Sequence, residues 1–480
     1  MISMQPFSSR PRIGLLALTL ELYEQLAPGL RQQREGWLRS AVLPALAAGA
    51  EVRFCRAVCR AEDVDATVAE YEAAGFDALL VVFLTYAPSQ IVLPALRRTR
   101  LPVVVWNTQE LWAVDAEFDQ DRLLANHGVH GTQDLANVLV RGGVAFHYVT
   151  SHLADGTQGV PASGAGLREL FDFFRAAAAA AALRSCRVGL MGYPFPGMGD
   201  IAVDETHLAD TLGCRCVPLS VEEYNRRADM APADAVCHLA AEYRRCYATA
   251  TEITDADLED TARAEVSLRS IAADQHLDAL TFQFLSLGDN PRTRTLPFVA
   301  VSRMMAEGVG FAGEGDVIGA VGTWLLHRLC PPASFSEIFT IDFAGNSLLL
   351  SHMGEANVAM ARTDRQVPLV ARPQPIVRTR GRQLALITSF QPGPATLCAL
   401  ALGPCGKWRL IVSRVEINDF GPLEGLPVPH CKVKNCGDVR DWLTAYARAG
   451  GPHHHALCFG DARPRLKLVA ALVGADYCEV

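Results

Sequence analysis

Four short stretches carry residue types that bind metals or move protons. In "GFAGEGD" (310–316), glycines flank Glu314 and allow a tight turn with close backbone approach. The residues that follow look helical, which places Glu314 and Asp316 near a helix N-terminus. The helix dipole favours carboxylates there even when they have no other task. In "LLLSHMGEAN" (348–357), His352 ends an apolar, strand-like run and Glu355 follows three residues later. Alone, that pattern also describes an ordinary hydrogen-bonded histidine at a strand end. In "ANHGVHGTQDLAN" (125–137), His127 and His130 sit in a glycine-containing loop before a helix. Loops at the carboxyl ends of parallel strands bind ligands, although Thr132 or Asp134 could equally serve as a helix cap here. In "GGPHHHALCFG", the run His453, His454, His455 is internal, unlike a terminal tag. Side chains alternate along an extended chain, so His454 alone, or His453 with His455, should aim at one site. Glu314, His352 and one of these histidines would form a mixed nitrogen and oxygen site with open positions. Imidazole suits Mn, Fe, Co or Zn, and carboxylates add a preference for Mn or Mg.

The 480 residues are long enough for two to four domains, and half of them are hydrophobic. The formal net charge is −8, and no basic block or stacking-aromatic cluster appears, which argues against a nucleic-acid partner. No apolar run approaches the roughly 18 residues of a membrane span. The N-terminal stretch lacks a small-residue cleavage site and reads as a poor signal peptide, with 13–18 as a first buried strand. The 14 cysteines are irregularly spaced and show no paired CxxC framework. Reduced thiols in the cytoplasm are the expectation.

These residues need a scaffold, and the pattern of elements supplies one. Continuous apolar runs at 12–18, 51–57, 77–84, 102–108 and 143–150 read as strands covered on both faces, joined by crossover helices. Seven consecutive alanines within 167–185 predict a helix. A second alternating set begins at 186, with a strand over 278–285, a helix over 296–308, and a strand, glycine turn and helix over 309–329. After Pro331–Pro332 the segments become short and strand-like, with a late helix over 439–450. The expected fold is α/β: two doubly wound parallel-sheet domains (1–166 and 167–330) and a mainly β C-terminal domain (331–480).

The order "LPFVAVSRMMAEGVGFAGEGD", "SFSEIFTIDFAGNSLLLSHMGEAN", "AGGPHHHALCFG" resembles the L-arabinose isomerase family, within a wider group that includes the L-fucose isomerases. The likeness runs from about residue 10 to about 470, and its two central motifs are the specific ones. It implies conversion of an aldose to a ketose through an ene-diol, usually with Mn²⁺. It also implies homo-oligomers, trimers or hexamers, with active sites shared between subunits, and a free sugar as the small-molecule partner. By motif it makes Glu314, His352 and His454 metal ligands. It places Tyr23, Tyr86, His127, His130, Gln283, Met353 and His453 among the sugar contacts, with Met198 a looser match. His455 stands where the family usually has threonine, so a structural role is expected.

The sequence departs from the pattern in three places. Leu20 and His127 stand where the family has glutamines. The family's first glutamate is expected in an NFEDL-like segment, and here that position falls near Leu285 in "TFQFLSLGDNPRTRTLP". On this alignment a carboxylate is missing, and Asp289 is the candidate replacement as catalytic acid or base. Three functions follow: a sugar isomerase with an altered site, an epimerase using the same metal site, or a non-catalytic sugar-binding descendant.

Overall fold

The computed structural model describes residues 10–154, 166–372 and 377–480. The chain divides into two compact units, Ser9–Ala181 and Ala182–Val480. The division falls inside the alanine-rich helix Arg168–Leu183. The expected boundary at 166/167 lies just before that helix. The boundary at 330/331 lies between the helix Val317–Leu329 and the strand Ala333–Asp342, inside the larger unit.

In the first unit, strands run in the order Glu51–Arg53, Arg12–Leu18, Ala78–Phe83, Val103–Asn107, His147–Thr150. All these pairs are parallel, and Ala57–Val58 also lies alongside Arg12–Leu18. Ala78–Phe83 is buried at every position, as a strand covered on both faces should be. The helix Gly128–Arg141 packs closely on its end. A Cβ on Gly128 would come 2.4 Å from the Phe83 carbonyl oxygen, and one on Gly131 would strike the Phe83 ring.

The second unit begins with a four-stranded parallel sheet, ordered Gly310–Ala312, Ala279–Phe282, Arg187–Met191, Arg215–Leu219. The predicted strand over 278–285 is shorter than expected. It stops at Phe282, and Phe284–Gly288 is a short helix. The helix Val317–Leu329 is buried nearly all round, which explains its lack of a polar stripe.

The C-terminal region is mainly β. Antiparallel pairings link Gly393–Leu402, His454–Phe459, Ala333–Asp342, Ser347–Ser351, His430–Lys434 and Trp408–Ile417 in that order. Trp408–Ile417 pairs back to Gly393–Leu402, which closes these six strands into a ring. Leu350, Leu397, Ile411, Val433 and Leu457 pack into one core. The predicted helix appears as Val439–Arg448. A second helix, Arg463–Val473, was not expected from the sequence; its apolar residues are spread among Arg, Pro and Lys. Among the described residues, no helix is long and apolar enough to cross a membrane.

Candidate metal centre

The "GFAGEGD" segment forms a strand end, a left-handed corner and a helix start. Glu314 has φ 62° and Gly315 φ 79°. A glutamate rarely occupies this region, and the strain there is of order 1 kcal/mol or more. Two hydrogen bonds hold it: the Phe195 amide donates to the Glu314 carbonyl at 2.9 Å, and the Gln283 side-chain amide donates to the same oxygen at 3.5 Å. Both flanking glycines are required for space. A Cβ on Gly313 would lie 2.5 Å from the His352 ring, and one on Gly315 would lie 2.3 Å from the Tyr193 carbonyl oxygen. The result aims the Glu314 carboxylate at two imidazoles. Its Oε2 is 3.7 Å from His454 Nε2 and 3.8 Å from His453 Nε2.

The β ring supplies the other side chains. Glu337 lies directly opposite His454 on one antiparallel neighbour and opposite Ser351 on the other. Opposed residues share a face, so Glu337 and His454 project together. His352 follows Ser351, just past the end of that strand. Ligand atoms of Glu337, His352 and His454 lie within 4.8 Å of one another, and so do those of Glu314, His453 and His454. The two groups share His454. Phe335 sits beneath, edge-on to both imidazoles, with ring centroids 4.6 Å from His352 and 4.8 Å from His454.

Each of the three histidines has its Nδ1 on a different carboxylate. His352 pairs with Glu355 at 2.7 Å, His454 with Asp316 at 2.9 Å, and His453 with Asp200 at 2.5 Å. This arrangement fixes the tautomer that leaves Nε2 for a metal or substrate. Asp316 also caps the helix Val317–Leu329, accepting the Gly319 amide at 2.8 Å. One residue thus starts the helix and orients a ligand.

The donor set fits a divalent cation. His454 Nε2 is buried and has no protein hydrogen-bond partner, which a buried polar atom seldom tolerates without a ligand. Ions hold such donors at about 2.0–2.2 Å, so donors of one shell lie within about 4.4 Å of each other. The 3.7 Å separation of Glu314 and His454 suits a shared ion. Burial pushes the Glu314 carboxyl up, but His453, His352 and His454 outweigh it and hold the group below its ordinary range. Burial also opposes charge on His352, yet Glu355, Glu337 and Glu314 hold its pKa above the usual histidine value.

Several sequence expectations need correction. A second carboxylate, Glu337, which sequence reasoning missed, lies within ligand reach of His352 and His454. Asp289 is exposed at the end of a short helix and belongs to neither ligand group, because Phe284–Gly288 turns it outward. Gln283 is fully buried and braces the Glu314 peptide, and its side-chain oxygen caps the short helix. The alternation expected for the histidine run fails at its first member. The strand begins at His454, and the bend before it turns His453 toward Glu314 as well, with its ring centroid 4.0 Å from that of His454. His455 is buried and pairs across to Ser336. Burial first, then the neighbouring His454, lowers its pKa to about 3, so it is a neutral core side chain. Met353 lines a small cavity with Glu314, His352 and Phe298.

Tyr23, Tyr86, His127 and His130 belong to the first unit. Tyr86 lies beyond the strand Ala78–Phe83, with ring centroids 6.1 Å from His127 and 6.5 Å from His130. Burial and the nearby Tyr86 raise the Tyr23 pKa. His127 Nε2 and His130 Nδ1 are in direct contact across the first turn of the helix. Burial, then His130, lowers the His127 pKa.

Residues 195–328 match the model of the L-arabinose isomerase central domain, and residues 332–476 match that of the L-arabinose isomerase C-terminal domain. The chain is 30% identical over 419 residues to the L-arabinose isomerase of Nocardioides sp., covering 82% of this chain and 78% of the relative. It is 28% identical to the L-arabinose isomerase of Acidothermus cellulolyticus, covering 84% and 81%. It is likewise 28% identical to that of Mycolicibacterium smegmatis, covering 82% and 78%.

Proposed function

This chain belongs to the L-arabinose isomerase family, and on that premise we propose that it is a metal-dependent aldose–ketose isomerase acting on a free pentose, hexose or deoxyhexose. One observation carries the site assignment: Glu314 and the pair Glu337 and His352 each come within ligand reach of His454, and carboxylates hold both His352 and His454 by Nδ1. These four residues are the proposed ligands, with Mn²⁺ the proposed ion. Mixed imidazole and carboxylate donors suit that metal. A homo-oligomer in the cytoplasm, with sugar contacts from Tyr23, Tyr86, His127 and His130, is part of the same proposal.

When bound, the ion polarises the carbonyl and hydroxyl oxygens at C1 and C2 of the sugar. The chain must then move one proton between those carbons. Glu314 is the proposed base. Its carboxylate is held ionised by the surrounding histidines, stays partly exposed, and is aimed by a strained corner. It takes the carbon-bound proton at the carboxylate oxygen not directed at the ion and returns it to the neighbouring carbon of the ene-diol. Glu337 supplies the second carboxylate, opposite His454, and is placed to handle the hydroxyl proton. His453 Nε2 faces the same space and is the proposed hydrogen-bond partner of a sugar hydroxyl. Phe282, Phe284 and Phe298 wall the adjoining cavity and limit water.

The test is a panel of pentoses, hexoses and 6-deoxy sugars incubated with the protein and Mn²⁺, scored for ketose formation. Ketose from at least one sugar, lost after chelation, is expected. An epimeric aldose without ketose would indicate the epimerase, and sugar binding without turnover or metal dependence would indicate a binding protein.

A further inference from the structure

The loop that follows the strand Arg187–Met191 touches the centre twice. Near its start, Tyr193 packs against Gly315, and the Phe195 amide binds the Glu314 carbonyl. Near its end, Asp200 Oδ2 accepts two hydrogen bonds from His453: one from ring Nδ1 at 2.5 Å and one from the backbone amide at 3.1 Å. Ile201, the next residue, is 1% exposed and anchors that end in the core. From the other side, the Tyr446 hydroxyl donates to the Pro452 carbonyl at 2.8 Å, and Gly451 lies against the Tyr446 ring. His453 is therefore gripped from both sides of the bend that precedes the strand His454–Phe459.

This grip explains a departure from strand geometry. Without it, His453 and His454 would turn to opposite faces. With it, both Nε2 atoms face Glu314. His453 also differs from its two partners in exposure. Its side chain is 27% exposed, whereas those of His352 and His454 are 4% and 1% exposed. His453 Nε2 is nevertheless buried and has no protein hydrogen-bond partner, which leaves that atom for a ligand, while the open part of the ring borders the approach from solvent.

We propose that Asp200 is a positioning residue: it keeps a proton on His453 Nδ1 and turns Nε2 toward the incoming sugar. This rests on the isomerase reading for its substrate but on the observed contacts for its geometry. Asp200 touches neither sugar nor metal in this account. It acts only through His453, and a carboxylate accepting two N–H groups of one residue leaves that residue one orientation.

The test compares D200A and D200N with the wild type. An alanine removes both contacts, whereas an asparagine keeps an oxygen that accepts both. For D200A, the expected result is a rise in KM of about tenfold, with a smaller change in kcat and Mn²⁺ affinity within about twofold of wild type. D200N should return KM to within about threefold. Selective ¹⁵N-histidine labelling, assigned with H453Q, provides a readout that needs no sugar. The wild type should show His453 protonated at Nδ1, and D200A should lose that signature. An unchanged tautomer in D200A overturns the proposal whether or not the protein isomerises any sugar tested. Unchanged KM, or a large loss of Mn²⁺ affinity, overturns the substrate-facing role. A wild type that produces no ketose counts against the isomerase reading, and the nitrogen spectrum then decides the positioning role.

Discussion

Glu337 and His454 are opposed across adjacent antiparallel strands, although 117 residues separate them in the chain. That pairing brings a carboxylate from "SFSEIF" beside an imidazole from the histidine run. Its consequence is direct. E337Q should lose more than about a hundredfold in Mn²⁺ affinity, a greater loss than outer-shell changes produce. D289A should remain within about twofold of wild type in affinity and turnover. Calorimetric titration of Mn²⁺ into the metal-free variants checks both.

The carboxylates behind the histidines should matter nearly as much as the ligands. D316N and E355Q should each weaken Mn²⁺ binding by about 10–100-fold. D316N carries an added cost, because Asp316 also caps the helix Val317–Leu329. Replacing such a cap costs about 0.5–2 kcal/mol, so metal-free D316N should melt earlier than metal-free E355Q. Thermal melts with and without Mn²⁺ separate the two effects.

Gly313 tests the packing of the corner. In G313A the new methyl would meet the His352 ring at 2.5 Å. The ring must shift, at a cost of about 1–3 kcal/mol in stability. Weakened metal binding should accompany the loss, and a titration on the folded variant would show it.

The metal-free and metal-loaded forms should respond oppositely to pH. His352 is held above the ordinary histidine pKa of 6.5, and His453 is pushed up to about 9, both against burial and by neighbouring carboxylates. A raised pKa stabilises the fold fully below the unfolded value, and that contribution is lost as pH rises through the folded value. The metal-free protein should therefore lose stability between about pH 6.5 and 9. Metal binding needs a deprotonated His352, so Mn²⁺ affinity should rise with pH in the range at and above 6.5. Melting curves and titrations over that range test both signs.

Much of the scaffold was legible because its signals are local. Continuous apolar runs marked the parallel strands, and the alanine tract marked Arg168–Leu183. Glu314, His352 and His454 stood out because glycines or neighbouring histidines surround them. Glu337 did not, since a glutamate in an alternating strand reads as an ordinary outward residue. Only the register with His454 and Ser351 reveals it, and register is set by long-range pairing. Asp200 was hidden for the same reason: its loop has no periodic pattern, and its partner His453 lies 253 residues away. No carboxylate near Leu285 was legible in the sequence, and the one that the fold brings beside His454 comes from across the sheet.

The most direct measurement is a crystal structure of the Mn²⁺-soaked protein with anomalous diffraction at the manganese edge. One strong peak is predicted, bound by Glu314, Glu337, His352 Nε2 and His454 Nε2. A protein that takes up no manganese, or a peak bound without Glu337 and His454, would contradict the account.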